Sequence, residues 1–235
     1  MKHIEATFLQ FWWGMRDIEA SQWEREIKAM RTVGLHTIIL QWIQTDGRNL
    51  YESPDPFPQL LDIAHRHKMC VVFGLRHDGR WWREWGNAEY LQEEAKESVT
   101  IAREVYRRYG KHLAFAGFYI PYEIWDGSFT EAQVAQIAQL LRAVGHACRQ
   151  MAPSKPVFVA PFFAGLLPSE RFEQLWLALL KDRPVDVVAL QDGVGARGWD
   201  EEIEQRVTPY PTLLRCREPA VSAALNSGVT SSASA

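Results

Sequence analysis

Six short runs of residues, apolar almost throughout instead of alternating with polar ones, recur at 7–11, 36–41, 69–75, 113–119, 156–160 and 185–191. Alternation marks a strand with one wet face, so continuous runs predict parallel strands covered on both faces. Helical stripes separate them. Ser21-Gln22-Trp23-Glu24 fits a capping box, after which Trp23, Ile27, Met30 and Val33 follow at helical spacing up to a stop at Gly34. Thr130 precedes a stripe of Val134, Ile137, Leu141, Val144 and Met151, and Pro168-Ser169 opens another with Phe172, Leu175 and Leu179. Such stripes read as core, as do Trp23 and Trp176.

Strand and helix in strict alternation predict βα units around a parallel sheet, an α/β fold. About six βα units fit before Val207, whereas a closed (β/α)8 barrel typically needs ~250 residues. The expected architecture is therefore a TIM-barrel-like fold that is incomplete: a partial barrel over 1–207 and an irregular tail over 208–235. Thr208-Pro209-Tyr210-Pro211 breaks any helix, and the last ten residues are small and polar. A flavodoxin-like open sheet also suits the length, but Phe11-Trp12-Trp13-Gly14 cannot cradle a pyrophosphate as a Gly-rich loop does.

The segments that leave the strands point to one chemical end. The fourth run ends as Tyr119-Ile120-Pro121-Tyr122-Glu123-Ile124-Trp125-Asp126, placing a carboxylate just past a buried strand and among aromatic rings. Desolvation penalises the charged form of a carboxyl group, which suits a general acid near neutral pH and makes Glu123 the leading catalytic candidate. A salt bridge to an arginine such as Arg76 is the competing explanation. Asp192, after the sixth run, is a second candidate, although it also suits hydrogen bonding within the Gly193 to Gly195 turn.

Seven of the ten tryptophans, Trp12, Trp13, Trp42, Trp81, Trp82, Trp85 and Trp125, lie in or just after the segments that leave strands. A flat apolar face with one N–H donor suits stacking on a sugar ring and donating to its hydroxyls. With Tyr119 and Tyr122 they are expected to line a carbohydrate cleft, in which Gln41, Gln44 and Gln191 orient hydroxyl groups and Arg76 binds an acidic substituent or supports Glu123.

Other function classes find less support. A net charge of -3 and no concentrated basic face argue against nucleic acid, and Arg103, Arg107, Arg108 and Lys111 read as a solvated helix face. No apolar stretch reaches the ~18 residues of a membrane span. The start lacks the apolar core of a signal peptide, so the chain as written is cytoplasmic, and periplasmic or secreted if a leader precedes it. Cys70, Cys148 and Cys216 show no paired spacing and read as buried free thiols. His65 and His67 point to different helix faces, so neither a metal nor another cofactor is expected, and no Gly-x-Ser-x-Gly elbow is present.

The chain resembles the DUF4434 family of glycoside-hydrolase-like TIM-barrel proteins over about residues 6–197. The resemblance is carried by Thr7-Phe8-Leu9-Gln10, by Trp23 with Gly34-Leu35-His36-Thr37-Ile38-Ile39-Leu40-Gln41-Trp42, by Gly117-Phe118-Tyr119-Ile120-Pro121-Tyr122-Glu123, and by Leu190-Gln191-Asp192-Gly193-Val194-Gly195. It implies a barrel similar to retaining glycosidases, with a proton donor after the fourth strand, matched by Glu123, and a nucleophilic acid after the seventh. That second acid has no counterpart here, so the pair is expected to be incomplete. The implied parent activity is hydrolysis of a polysaccharide or oligosaccharide; a non-catalytic glycan-binding barrel and a metal-dependent barrel hydrolase are the alternatives. Degenerate codons for the tail, read two bases later, permit Glu-Leu-Trp-Ser-Asp-Leu-Glu-Cys-Phe-Arg, the kind of strand the resemblance leads one to expect. A frameshift after about Pro209 is the resulting hypothesis; sequencing the gene checks it, and codons that exclude that strand in every frame remove it.

Overall fold

The computed structural model describes residues 5–163 and 165–191. In chain order these form β1 (Ala6–Leu9), a 3-10 turn (Trp13–Asp17), α1 (Ala20–Thr32), β2 (Thr37–Leu40), β3 (Gln44–Thr45), β4 (Arg48–Asn49), α2 (Phe57–Arg66), β5 (Cys70–Gly74) and β6 (Arg76–His77). They continue with α3 (Trp81–Glu84), α4 (Ala88–Tyr109), β7 (Phe115–Ile120), α5 (Glu131–Met151), β8 (Val157–Val159), α6 (Ser169–Leu179) and β9 (Val187–Val188). All six expected strands are present; four lie within the expected runs, while β1 begins one residue before its run and β7 ends one residue after its run.

They form one parallel sheet in the order β1-β2-β5-β7-β8-β9, so each crossover moves one place along the sheet, as in a barrel. The sheet curls into a half-barrel. Across three strand spacings a flat sheet would hold β1 and β7 about 14 Å apart. Yet Phe8 of β1 and Tyr119 of β7 meet edge to face with ring centroids 5.3 Å apart.

Curling separates two buried layers. Ile39, Val72, Tyr119, Phe158, Ala160 and Val187 pack together as one cluster on the concave side. Alternate residues, among them Ile38, Leu40, Val71, Phe73, Phe118, Ile120, Val157 and Val159, join the larger core under the helices. Burial on both faces explains why the strands carry no polar alternation. The bend has a local origin in β7, where the register against β5 slips between Val71 and Val72. Gly117 sits at the slip with φ +141°, and a Cβ there would lie 2.3 Å from the Pro156 carbonyl oxygen. Only glycine meets both demands.

The helix ends correct one expectation. α5 opens with a true capping box: Thr130 Oγ1 accepts from the Gln133 amide (3.3 Å), and Gln133 Oε1 accepts from the Thr130 amide (2.9 Å). Ser21 and Glu24 form none, because α1 begins two residues earlier than that motif implies, at Ala20, with Glu19 as its cap. Glu24 instead pairs with Arg66 and His67 at the end of α2. Cys148 is buried, and that burial pushes its thiol up to about 12. Cys70, expected to be buried, is exposed; Cys216 and the 208–235 tail lie outside the described residues.

Candidate functional site at the strand ends

Glu123 follows β7 and is half-buried between two fully buried neighbours, Tyr122 and Ile124. The Ile124 amide donates to the Tyr122 carbonyl (3.0 Å), closing a tight three-residue turn with Glu123 at its apex. Its carboxylate makes no hydrogen bond or ion pair among the described residues. The arginine that would have neutralised it is committed elsewhere. Arg76 is buried and donates through Nε to both carboxylate oxygens of Glu94 (3.0 and 3.1 Å), through Nη1 to Gln44 (2.6 Å) and through Nη2 to Asp78 (3.2 Å). Burial is the largest single influence and opposes the charge of Arg76, but the hydrogen bond and charge of Glu94, together with Tyr122 and Asp78, outweigh it and raise the guanidinium above its ordinary value.

The aromatic residues divide into two groups. Trp12 (54% exposed), Trp13 (45%) and Trp82 (48%) present their rings to solvent. Trp12 leans edge-on against Trp42 (5.8 Å), which is itself buried and stacked on His77 (4.5 Å). On the other side, half-buried Trp125 packs against Trp82 (5.6 Å), Trp85 (5.0 Å) and Phe129 (5.1 Å). An isolated bridge from Trp125 to Phe162, and another from Phe162 to Gln191, extend the sheet beyond its strands at this end.

The remaining expected cleft residues sit deeper. Trp81 and Tyr122 are buried against each other, with centroids 4.8 Å apart, so neither offers a face for stacking on a sugar. Tyr119 belongs to the concave layer; its burial, and then the nearby charge of Glu123, push its hydroxyl far above the ordinary value of 10.0. Gln44 is buried, donating to Asn49 (2.7 Å) and accepting from Arg76, so its amide is spent on structure. Gln41 and Gln191 are half-buried at the ends of β2 and β9, and the Gln191 amide donates to the Ala160 carbonyl (3.1 Å). Asp192 lies outside the described residues.

Sequence reasoning missed two residues that organise this end. Glu94, 0% exposed, accepts from Arg76 and from the Tyr122 hydroxyl (2.8 Å). Its signal was a carboxylate on the buried stripe of α4, between Leu91 and Ile101. Asp126 is fully buried and accepts from the amides of Leu166 (2.6 Å) and Leu167 (3.2 Å), tying the segment after β7 to the one after β8. Asp78, which shares Arg76 with Glu94, is held below the usual carboxylate range, burial being outweighed by bonds to Arg80.

Among the described residues no cluster of His, Cys, Asp and Glu is arranged to hold a metal, and no helix is long and apolar enough to cross a membrane. A groove of about 570 Å³ runs between α5 and α6, lined by Phe129, Val134, Arg142 and Leu175, but it lies outside the barrel and contains none of the expected site residues.

The architecture is that of TIM-barrel glycosidases of known structure. A candidate α-L-fucosidase of Bacteroides thetaiotaomicron matches with a TM-score of 0.67 at 22% identity, over 82% of this chain and 65% of that one. A β-galactosidase from Marinomonas ef1 matches with a TM-score of 0.56 at 12% identity, over 86% of this chain and 43% of that one. An endo-1,4-β-mannanase of Eisenia fetida gives 0.53 at 12% identity, over 80% and 68%. This chain thus spans less than two thirds of the first two. No curated protein matches it. The family DUF4434, a domain of unknown function, matches residues 4–218, and the chain belongs to that family.

Proposed function

We propose that the chain is a glycosidase-type barrel protein that receives a polysaccharide or oligosaccharide at its strand ends, with Glu123 as general acid/base. One observation carries this reading: a half-buried carboxylate stands at the end of the fourth barrel strand, two residues before Trp125, whose ring packs on solvent-facing Trp82, while Arg76 is bonded to Glu94. The solved glycoside hydrolases of the same architecture support it.

In a retaining reaction Glu123 protonates the glycosidic oxygen while a second carboxylate bonds the anomeric carbon and the C–O bond breaks, and the Glu123 carboxylate then takes a proton from the water that displaces that second carboxylate; in an inverting reaction Glu123 supplies the proton alone and the second carboxylate activates the water. Trp12, Trp13 and Trp82 supply apolar faces for pyranose rings, and Gln41 and Gln191 stand where sugar hydroxyls would need donors and acceptors. A second carboxylate would have to lie ~5 Å away for retention or ~6.5–9.5 Å for inversion. Asp78 and Asp126 are both buried and bonded, so neither fills that place; Asp192, the other acid expected from the sequence, lies outside the described residues.

The test compares Glu123→Gln with wild type on a panel of aryl glycosides and on β-mannan. A loss of about 10²- to 10⁴-fold is expected; unchanged cleavage would sink the assignment. Binding of oligosaccharide to both proteins without turnover by either would favour a non-catalytic glycan binder.

A further inference from the structure

We infer that Trp81 and Glu94 are positioning residues that fix the peptide carrying the Glu123 carboxylate, a role that rests on the acid/base reading of Glu123. The tight turn leaves Glu123 at an apex whose neighbours are both buried. Each flank of that apex is held by a side chain from the outer helices. On one flank the Tyr122 hydroxyl donates to Glu94 (2.8 Å). Because its proton is spent there, the Ser98 hydroxyl, also 2.8 Å away, must donate to the Tyr122 oxygen. The phenol is thus held by two partners on α4. On the other flank the Trp81 indole N–H donates to the Glu123 carbonyl oxygen (3.2 Å), while its ring packs on Tyr122.

Packing alone does not call for these groups. Phenylalanine in place of Tyr122 would fill comparable volume without a polar atom to satisfy, and packing at Trp81 requires an aromatic ring but not its N–H. A carboxylate that is 0% exposed also carries a desolvation penalty which its ion pair with Arg76 roughly offsets, so the pair adds little net stability. What the arrangement does supply is geometry. With its carbonyl and both neighbours fixed, Glu123 keeps side-chain rotation as its remaining freedom, and a displacement of about 1 Å at a reacting group costs on the order of 10²-fold in rate.

Trp81→Phe tests the clamp because it removes the indole hydrogen bond and keeps a smaller aromatic ring at the same place. Amide hydrogen exchange on the full chain reads it without any substrate. The Ile124 amide is expected to exchange about tenfold faster than in wild type while the amides of β2 keep their rates. An unchanged Ile124 rate overturns the proposal, and so does a uniform acceleration across the sheet, which would mean a role in global stability alone. Hydrolysis of the aryl glycoside cleaved best by wild type gives the second readout. Trp81→Phe should lower kcat about tenfold with KM nearly unchanged, and should cause no further loss when Glu123 is already Gln. An equal loss in that background overturns positioning. If Glu123→Gln turns over normally, or no glycoside is cleaved, the acid/base reading fails by itself and the exchange data still decide the clamp. Glu94→Gln, which keeps the shape and loses the charge, is expected to raise Ile124 exchange in the same direction.

Discussion

Removing the carboxylate of Glu94 should be one of the most destabilising single changes available in this fold, and removing its partner as well should undo most of the damage. In Glu94→Leu the buried Arg76 guanidinium loses the acceptor of its Nε and keeps Asp78 at 3.2 Å and Gln44 at 2.6 Å. Stranding one member of a buried pair costs about 3–5 kcal/mol. The remaining carboxylate of Asp78 places this case near the lower end, at ~3 kcal/mol. The Tyr122 hydroxyl loses Glu94 as an acceptor but still has the Ser98 hydroxyl, so it adds no more than ~1 kcal/mol. For a chain of this size ~3 kcal/mol corresponds to a Tm lower by about 6–12 °C. The double variant Arg76→Met/Glu94→Leu replaces the pair with apolar groups of similar volume and should return to within ~1 kcal/mol of wild type. Urea titration followed by tryptophan fluorescence measures both, provided the slope m is the same across the set. A loss below ~1 kcal/mol for Glu94→Leu, or a double variant no better than the single, refutes the reasoning.

Two further outcomes test the packing and the surface charges. Gly145→Ala gains ~1 kcal/mol in helix propensity within α5, but the new Cβ would stand 1.8 Å from the Pro184 carbonyl oxygen. The forced shift costs about 1–3 kcal/mol, so a net loss of ~1 kcal/mol is expected in thermal melts and a gain would contradict the packing. Glu104 is held at about 2, chiefly by hydrogen bonds from Arg107 and then Arg108, against an ordinary value of 4.5. A folded-state value below the unfolded one stabilises fully above about 4.5 and is lost as pH falls towards 2. Partial exposure and screening reduce this to ~1 kcal/mol. The gap in urea midpoint between wild type and Glu104→Gln should therefore narrow from pH ~6 to pH ~3; a gap that does not change with pH assigns the effect to something other than this charge.

Repeating local patterns made the fold legible. Ile38 to Leu40 and Val157 to Val159 are apolar because both sheet faces are buried, and that burial is written directly into consecutive residues. The two-residue ladders β3, β4 and β6 left no such trace, since Gln44-Thr45 pairs with Arg48-Asn49 and Arg76-His77 through backbone groups that any sequence provides. At the site, sequence position identified the strand ends and did not distinguish rings facing solvent from rings facing inward. Trp81 and Trp82 are adjacent, yet one is buried and the other exposed, a difference set by α3 and by the Tyr122 ring brought up from β7. Glu24 shows the reverse case: a motif that satisfied a capping rule was taken by Arg66 and His67, 42 and 43 residues away.

The ladder β4-β3-β6 gives the Trp42 rim a rigidity that a loop would lack. β3 and β6 pair in parallel just past the ends of β2 and β5, and the Thr45 hydroxyl lies 3.1 Å from His77 Nδ1, so the His77 ring beneath Trp42 is anchored by a hydrogen bond as well as by stacking. Ordering a mobile side chain on association costs about 0.5–1.5 kcal/mol. Trp42 and His77 have already lost that freedom in the unbound protein, and Trp12 rests its edge on them. A ligand docking against this wall meets a surface whose ordering entropy was spent during folding, so more of the contact energy there is available as affinity than at a rim built from free loops.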